Sequence, residues 1–336
     1  MTKHTTLRRS LCLVASLAGL AAPALAQSCG GSVCPPPAGG AASGGSWLGS
    51  GEAIARLTEE YEVRDRSYKG RHGVVNDFDE TLFVSRTALD LRCGVTDAWT
   101  VDVTLTYPHY TYRLKPPGGE RRRFRFRGPG DTFVSLGRSF GLGGTEEPED
   151  TLLGDEHTAM PPGEPGPTLS VWGGVSLPTG STERPDPRIV TRDVSVSNLQ
   201  TGTGTVDPVL RARLEMPLDP LRLFAEAAAR FPVYENRHRY RTGDAETFAL
   251  GAEIPVLPRV TAVLSVMGQR VARDRFDGED VGVGGARWVY LVPGVAWQVT
   301  DTAAVDVSVR LPVYRRTETK LSDSSAVFQV GLSYRF

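Results

Sequence analysis

The chain has 336 residues, of which 38 are lysine or arginine and 39 are aspartate or glutamate, so its formal net charge is −1. This balance argues against a nucleic-acid-binding surface, which needs an excess of basic residues. Past the N-terminal region, no apolar run approaches the roughly 20 residues of a membrane helix, which excludes a helical membrane protein. The mean hydropathy of −0.21 still allows a transmembrane β-barrel, because barrel strands alternate lipid-facing and lumen-facing residues.

Residues 1–26 have the features of a secretory signal peptide. Three basic residues precede the apolar run from Leu11 to Ala22, and the small-residue site Ala24-Leu25-Ala26 follows it. Cleavage after Ala26 would bring the net charge to −4, because the three basic residues are removed with no acidic residue. The alternative of a lipoprotein modified at Cys29 is disfavoured, since the preceding residues lack the aliphatic residue and small pair of such sites.

From residue 27 to residue 51 the chain is rich in Gly, Ala, Ser and Pro, which predicts a flexible periplasmic segment. Cys29 and Cys34 lie close together there, in an oxidising compartment, so a small disulfide loop is the first interpretation. A metal or thiol-exchange site is the alternative, although no histidine accompanies the pair. Cys93 is left over and is expected to serve as a small apolar residue.

Residues 52–336 show dyad alternation, the pattern of half-buried β-strands. Between Trp99 and Tyr107, for example, every second residue is apolar and the residues between are threonines and an aspartate. Twelve strands are predicted: 52–66, 80–93, 98–113, 131–141, 167–178, 205–216, 220–233, 245–256, 259–273, 285–299, 302–315 and 325–336.

The predicted connections are alternately short and long. Tight turns at 94–97, 216–220, 257–258 and 300–301 alternate with longer polar loops at 67–79, 114–130, 179–204, 234–244, 274–284 and 316–324. Short periplasmic turns and long extracellular loops are typical of outer-membrane barrels, whereas a soluble periplasmic β-sandwich would have turns of similar length at both ends. The sequence therefore predicts an all-β, antiparallel transmembrane barrel of about 12 strands in the outer membrane of a Gram-negative bacterium.

One connection departs from this pattern. Residues 142–166 should be periplasmic but are long and acidic. A solvated insertion, a short helix and a partner-binding site all remain open.

The chain ends in VFQVGLSYRF, with its apolar residues on one parity. This pattern predicts a last strand whose outer face is apolar to its end. The stretch resembles the C-terminal recognition signal of bacterial outer-membrane proteins, which implies delivery to the outer-membrane assembly machinery. The residues of this assembly signal are Phe328, Val330, Leu332, Tyr334 and Phe336.

Two stretches in the middle of the chain resemble a known family. Leu177-Pro178-Thr179-Gly180 leaves one strand, and the run from Gln200 to Pro208, QTGTGTVDP, leads into the next. The pair is similar to the outer-membrane barrel family assigned to the meta-cleavage pathway of phenol degradation, often described as transporter-like. The resemblance is specific in this middle third and is compatible with the strand pattern over 52–336. It implies a 12-strand-class barrel that passes hydrophobic or aromatic small molecules, without naming the solute.

The polar parity of the strands is rich in charge of both signs. An ion-pair network inside the barrel is expected, either as structural filling or as a selectivity filter with modest anion preference. Its members are Arg92, Asp102, Arg211, Arg213, Glu215, Arg222, Glu226, Arg230 and Arg310.

The run from Glu120 to Arg127 alternates arginines with phenylalanines in a predicted extracellular loop. Arginines beside aromatics there would pair with anionic headgroups of outer-membrane lipids, lipopolysaccharide included. A nucleic-acid site is the weaker alternative, and a merely solvated charged face remains open.

A lipid-modifying enzyme would need a serine and a histidine on the lipid face with a third orienting group. His109 has outward parity, but no His-x-Ser-Asn-Gly pattern surrounds it, and the remaining histidines show no metal-ligand spacing. No catalytic residue, cofactor or metal is therefore predicted. The expected function is a porin-like channel for small solutes; the alternatives are a structural or partner-docking barrel and an outer-membrane lipid-modifying enzyme.

Overall fold

The computed structural model describes residues 48–77, 79–115, 118–142, 166–182 and 200–336. Within these ranges the chain forms one antiparallel sheet. In the same residues, no helix has the length and apolar character needed to cross a membrane. The strands are β1 (Ala53–Gly70), β2 (His72–Val74), β3 (Thr81–Thr96), β4 (Trp99–Leu114), β5 (Arg122–Arg127), β6 (Thr132–Gly141), β7 (Thr168–Leu177), β8 (Asp207–Leu218), β9 (Leu221–Arg230), β10 (Tyr240–Arg241), β11 (Ala245–Leu257), β12 (Val260–Phe276), β13 (Glu279–Gln298) and β14 (Ala303–Arg335).

The sheet closes on itself. Its order is β12-β11-β9-β8-β7-β6-β4-β3-β1-β14-β13, and β13 pairs again with β12. Three short strands lie outside this ring: β2 pairs with β1, β5 with β4 and β10 with β12. Closure leaves no unpaired edge, which is the condition for a sheet to lie in lipid.

The wall is crossed twelve times, because β14 folds back on itself. Its 33 residues would span about 110 Å if straight. Instead the Arg335 amide donates to the Thr302 carbonyl over 2.8 Å. Residues 304–317 pair with β13 and residues 317–335 pair with β1. The prediction of a barrel of about twelve strands is confirmed.

The predicted loops at 274–284 and 316–324 are wrong, and those at 67–79 and 114–130 contain the short strands β2 and β5. The structure replaces the loop at 274–284 by a two-residue turn, Asp277-Gly278, in which both residues have positive φ. Such a turn matches the twist of paired strands, so the hairpin continues where polarity suggested a loop. The loop expected at 316–324 is likewise part of β14.

The two ends of the barrel differ. At the terminus end, the Phe336 amide donates to the Ala53 carbonyl, and most connections there are short. The acidic connection begins and ends here too, where the Leu142 amide donates to the Pro167 carbonyl. Residues 143–165 lie outside the described residues, so the interpretations of that connection stay predictions. The longer connections meet at the opposite, loop end.

The two faces of the wall follow the dyad pattern. Apolar side chains such as Leu57, Leu210 and Leu264 are exposed on the outside, and polar and charged side chains are buried on the inside. The last strand obeys the same rule, with Phe328 53% exposed and Ser333 4%. All five residues of the predicted assembly signal lie on the outer face, while their role in assembly stays a prediction.

Candidate functional site in the barrel lumen

The nine charged residues predicted for the lumen all belong to the inner ion-paired surface. Eight of them have side chains at most 18% exposed, and each is in an ion pair with an inner-face partner. Arg222 is the exception in exposure, at 42%, although it also pairs with a carboxylate. Whether the set selects ions or only fills space stays open.

The first group of pairs is centred on Asp102 of β4. Its Oδ1 accepts a hydrogen bond from Arg92 Nε over 2.8 Å, and its Oδ2 accepts one from Arg211 Nη2 over 2.6 Å. The Arg211 guanidinium also lies 4.1 Å from the ring centroid of Trp172, a cation–π contact. Asp102 therefore connects strands β3 and β8 through two charge-assisted hydrogen bonds.

The second group surrounds Arg213 of β8. Its guanidinium donates to Glu215 over 2.7 Å, to Glu226 over 3.2 Å and to Glu253 over 3.4 Å. Glu253 also accepts from Arg222 over 3.2 Å. Arginine suits this position because its planar group offers five donors, enough for three separate carboxylates.

A third group lies on β1, β3 and β14, and sequence reasoning missed most of it. Glu60 accepts hydrogen bonds from Arg86 and Arg310, and Glu62 accepts from Arg64 over 2.8 Å. In β1 the adjacent residues Glu59 and Glu60 point to opposite faces of the strand, so the presence of a charge did not show which face is the inner one. The ladder between β1 and β14 is also irregular beyond Glu62, which breaks simple parity. The remaining pairs are Arg56 with Asp306 and Arg315 with Asp323.

The inner wall also carries two apolar clusters near the loop end. One contains Leu82, Val84, Tyr110 and Phe126, with Tyr112 and Phe124 packed against it. The other contains Ala245, Val271, Ala286, Trp288 and Tyr290. The inner wall is therefore apolar in two places toward the loop end. One cluster adjoins the third ion-pair group, because Trp288 Nε1 donates to Asp323 over 3.0 Å.

The two family-like stretches meet at the loop end, in a cluster of Gly130, Asp131, Gly180, Gly202 and Thr203, here called the loop-end cluster. A Cβ added at Gly180 would lie 2.5 Å from the Gly202 Cα and 2.6 Å from Gly130 atoms. Only glycine permits three backbones to approach so closely. This explains why both stretches end or begin in Thr-Gly repeats.

Asp131 holds the loop-end cluster together. Its Oδ2 accepts from the Thr203 amide over 2.8 Å and from the Thr203 hydroxyl over 2.6 Å, and its Oδ1 accepts from the Gly180 amide over 3.3 Å. Burial raises the pKa of this carboxyl to about 7, although those hydrogen bonds and the charge of Arg230 act in the opposite direction. Asp131 directly precedes Thr132, the first residue of β6, at the loop end of that strand.

The expectation for Cys93 is wrong, because this residue is disulfide-bonded. Its bonding partner lies outside the described residues, and the three other cysteines of the chain, Cys12, Cys29 and Cys34, all precede residue 48. The chain entering β1 also packs here, since a Cβ at Gly94 would lie 2.1 Å from the Gly49 carbonyl oxygen. The predicted Cys29–Cys34 loop itself falls outside the described residues.

His109 lies exposed on the outer face, as its parity predicted. Ser85 pairs with it in register, but the Ser85 hydroxyl donates to Glu59, which also accepts from Thr87 over 2.6 Å. Among the described residues no hydrogen bond joins Ser85 to His109, so no serine is activated by a histidine base there. In that same part of the chain no group of three or more metal-ligating side chains could hold a metal ion.

No protein-family model matches the chain, and no curated protein matches it in sequence. Among solved structures, it is similar to an outer membrane channel from Pseudomonas putida F1, with 15% identity and a TM-score of 0.61 over 91% of this chain and 100% of that one. It also matches a FadL homologue of Pseudomonas aeruginosa (11% identity, TM-score 0.38, 84% of this chain and 90% of that one). A third match is a mutant of the TodX monoaromatic hydrocarbon channel (7%, 0.41, 86% and 91%). The first of these similarities shows that the chain has the fold of an outer-membrane β-barrel.

Proposed function

We propose that the protein is an outer-membrane channel for small solutes in a Gram-negative bacterium. The observation that carries the proposal is a closed barrel with an apolar outer face and a charged inner face, the arrangement of a barrel that spans lipid and encloses a polar path. In this orientation the terminus end is periplasmic and the loop end extracellular, as the short and long connections indicate. The similarity to the channel of Pseudomonas putida agrees with this proposal.

Hydrophobic or aromatic solutes are the class that we assign to this channel. The apolar clusters around Tyr110 and Trp288 place aromatic side chains near the extracellular mouth; both residues are buried, so a solute would bind there by displacing these side chains. Further down, Asp102 and Arg213 lie in buried ion pairs, and an apolar solute inserted there would disrupt them without replacing their hydrogen bonds. An apolar solute would therefore leave sideways through the wall, or pass only when the network opens.

Conductance in a planar lipid bilayer tests the proposal. Purified refolded protein should give steady single-channel steps, and neutralising Arg211, Arg213 and Arg222 together should shift ion selectivity toward cations. Replacing Arg270, Arg273 and Arg275, which pair with carboxylates at the loop-end rim, is the matched control and should leave selectivity unchanged. Unchanged selectivity in the first variant would remove those arginines from the pore.

Uptake separates the solute classes. Liposomes that contain the protein should accumulate a neutral monoaromatic compound faster than empty liposomes, even if conductance is low. Equal uptake in both would exclude the hydrophobic class.

The partner-docking alternative has one structural support. The acidic 142–166 connection begins and ends at the terminus end, where a periplasmic partner would reach it. Deleting residues 143–165 should then abolish capture of that partner while the barrel stays folded. Capture by the deletion variant would exclude docking through this connection.

A further inference from the structure

The extracellular strand β5 is oriented by its aromatic residues. Phe124 stacks on Tyr112 with ring centroids 6.4 Å apart, and Phe126 is buried against the cluster that contains Tyr110. Side chains alternate along a strand, so the three arginines between and beside these phenylalanines must face outward. Arg123, Arg125 and Arg127 are all exposed.

Arg113 of β4 extends this surface, because it pairs in register with Arg123 and lies on the same face. We call these four residues the β5 arginine face. Arg127 pairs in register with His109, two residues beyond the outward aromatic Tyr107. Outward aromatics of this kind mark the membrane boundary. With outward residues about 7 Å apart along a strand, the face begins about 7 Å beyond that boundary and covers roughly another 14 Å toward the exterior.

The charge of the β5 arginine face is not neutralised within the described residues. None of its four arginines has a carboxylate partner there, whereas the neighbouring Arg121 pairs with Asp79. Desolvation, together with repulsion from Arg125 and Arg113, lowers the pKa of Arg123.

Other rim arginines differ in this respect. Arg270, Arg273 and Arg275 each lie within 3.1 Å of a carboxylate oxygen, of Glu246, Glu318 and Asp280 respectively. The β5 arginine face is therefore a cationic surface arranged for an anion from outside the chain.

We propose that the β5 arginine face binds the phosphate groups of lipid A, the lipid of the outer leaflet. Guanidinium groups recognise phosphate oxygens bidentately, and the lipid would bring its phosphates to the height of Arg127 while its acyl chains lie along the apolar outer wall. The face continues upward at Arg125 and Arg123, where phosphates of the attached core sugars would lie. The proposal rests on the outer-membrane location proposed above, but not on ion conduction.

Binding of purified lipid A to the refolded protein in detergent tests this inference. Native mass spectrometry should show diphosphoryl lipid A bound to the wild type, with affinity lowered about a hundredfold in the R123Q/R125Q/R127Q variant. The R270Q/R273Q/R275Q variant removes the same charge from the same rim and should bind like the wild type. Equal affinity in the two triple variants would overturn the proposal.

The source of the phosphate is tested on the wild type alone. Lipid A from which both phosphates have been removed should bind the wild type about a hundredfold more weakly than intact lipid A does, and millimolar inorganic phosphate should displace little of the intact lipid. Full retention of the dephosphorylated lipid, or complete displacement by phosphate, would contradict a lipid A site. These arms need no variant, so they decide the matter even if R123Q/R125Q/R127Q fails to fold.

The outcome is separable from channel activity. Wild-type protein that binds lipid A but neither conducts ions nor speeds uptake of the monoaromatic compound would overturn the proposed channel and keep this site. Protein that conducts ions but shows no dependence of lipid A binding on its phosphates would overturn this site and keep the proposed channel.

Discussion

Asp102 offers the sharpest test of the lumen network. The D102A substitution removes the carboxylate that accepts from both Arg92 and Arg211, and leaves two buried guanidinium groups without that partner. Breaking a buried pair by removing one member costs about 3–5 kcal/mol, because the remaining charge stays buried and uncompensated. We therefore expect the free energy of unfolding to fall by about that amount.

The matched control is D280A. Asp280 also pairs with an arginine, Arg275, over 3.1 Å, but both side chains are about half exposed. Exposed pairs contribute about 0–1 kcal/mol, so this variant should unfold almost like the wild type. Urea titration in detergent micelles, followed by tryptophan fluorescence, measures both variants, and an unchanged m-value shows that the same surface unfolds.

A second-site change checks the mechanism. Replacing Arg92 and Arg211 by methionine in the D102A background removes the stranded charges, so much of the lost stability should return. If D102A lies within about 1 kcal/mol of D280A, the buried ion-pair reasoning is refuted. If the combined variant is less stable than D102A, packing rather than charge explains the loss.

Four further predictions concern other parts of the chain. G202A should destabilise the loop-end cluster by about 1–3 kcal/mol, because the new Cβ would lie 2.4 Å from a backbone atom of Gly180. G141A is the control, since a Cβ there meets no atom within 4 Å, and limited proteolysis should cut only the G202A variant faster than the wild type. The folded-state pKa of Asp131 is raised to about 7, so the native state binds more protons than the unfolded state between about pH 4 and 7. The stability of the loop-end cluster should therefore fall by up to about 4 kcal/mol as pH rises through that range. Hydrogen exchange at the Thr203 amide, corrected for intrinsic rates, should show this loss, and D131N should abolish it. Under denaturing conditions Cys93 should react with a maleimide only after reduction, and labelling without reductant would contradict its disulfide. Deleting Phe336 should lower outer-membrane insertion, and normal levels of inserted protein would remove it from the assembly signal.

Much of the wall could be predicted from the sequence, because period-two alternation reports directly which face meets lipid. The twelve crossings and the inner position of Arg213 and Glu226 follow from parity alone. The Asp277-Gly278 turn was missed although Asp-Gly is a strong hairpin signal, since the polar residues around it resembled a loop. Polarity alone does not distinguish a loop from a hairpin that continues into water.

The parts that escaped prediction depend on partners far along the chain. Cys93 was expected to be a small apolar residue, because the spacing of cysteines in a sequence does not reveal which of them form disulfide bonds. Asp131 lies more than 70 residues from Thr203, and nothing in its local sequence marks it as the acceptor for that loop. Only the close packing of Gly180 against Gly202 explains why the Thr-Gly stretches occur where they do.

The pairing of β1 with the second half of β14 has a consequence for biogenesis. Tyr61 lies opposite Phe328, so the seam that completes the ring joins residues separated by most of the chain. A nascent or truncated chain without that half-strand would present two open strand edges, and neither can be satisfied in hydrocarbon. Contacts so distant in sequence also form slowly. Insertion is therefore expected to be all-or-none, completed only once the final strand is present.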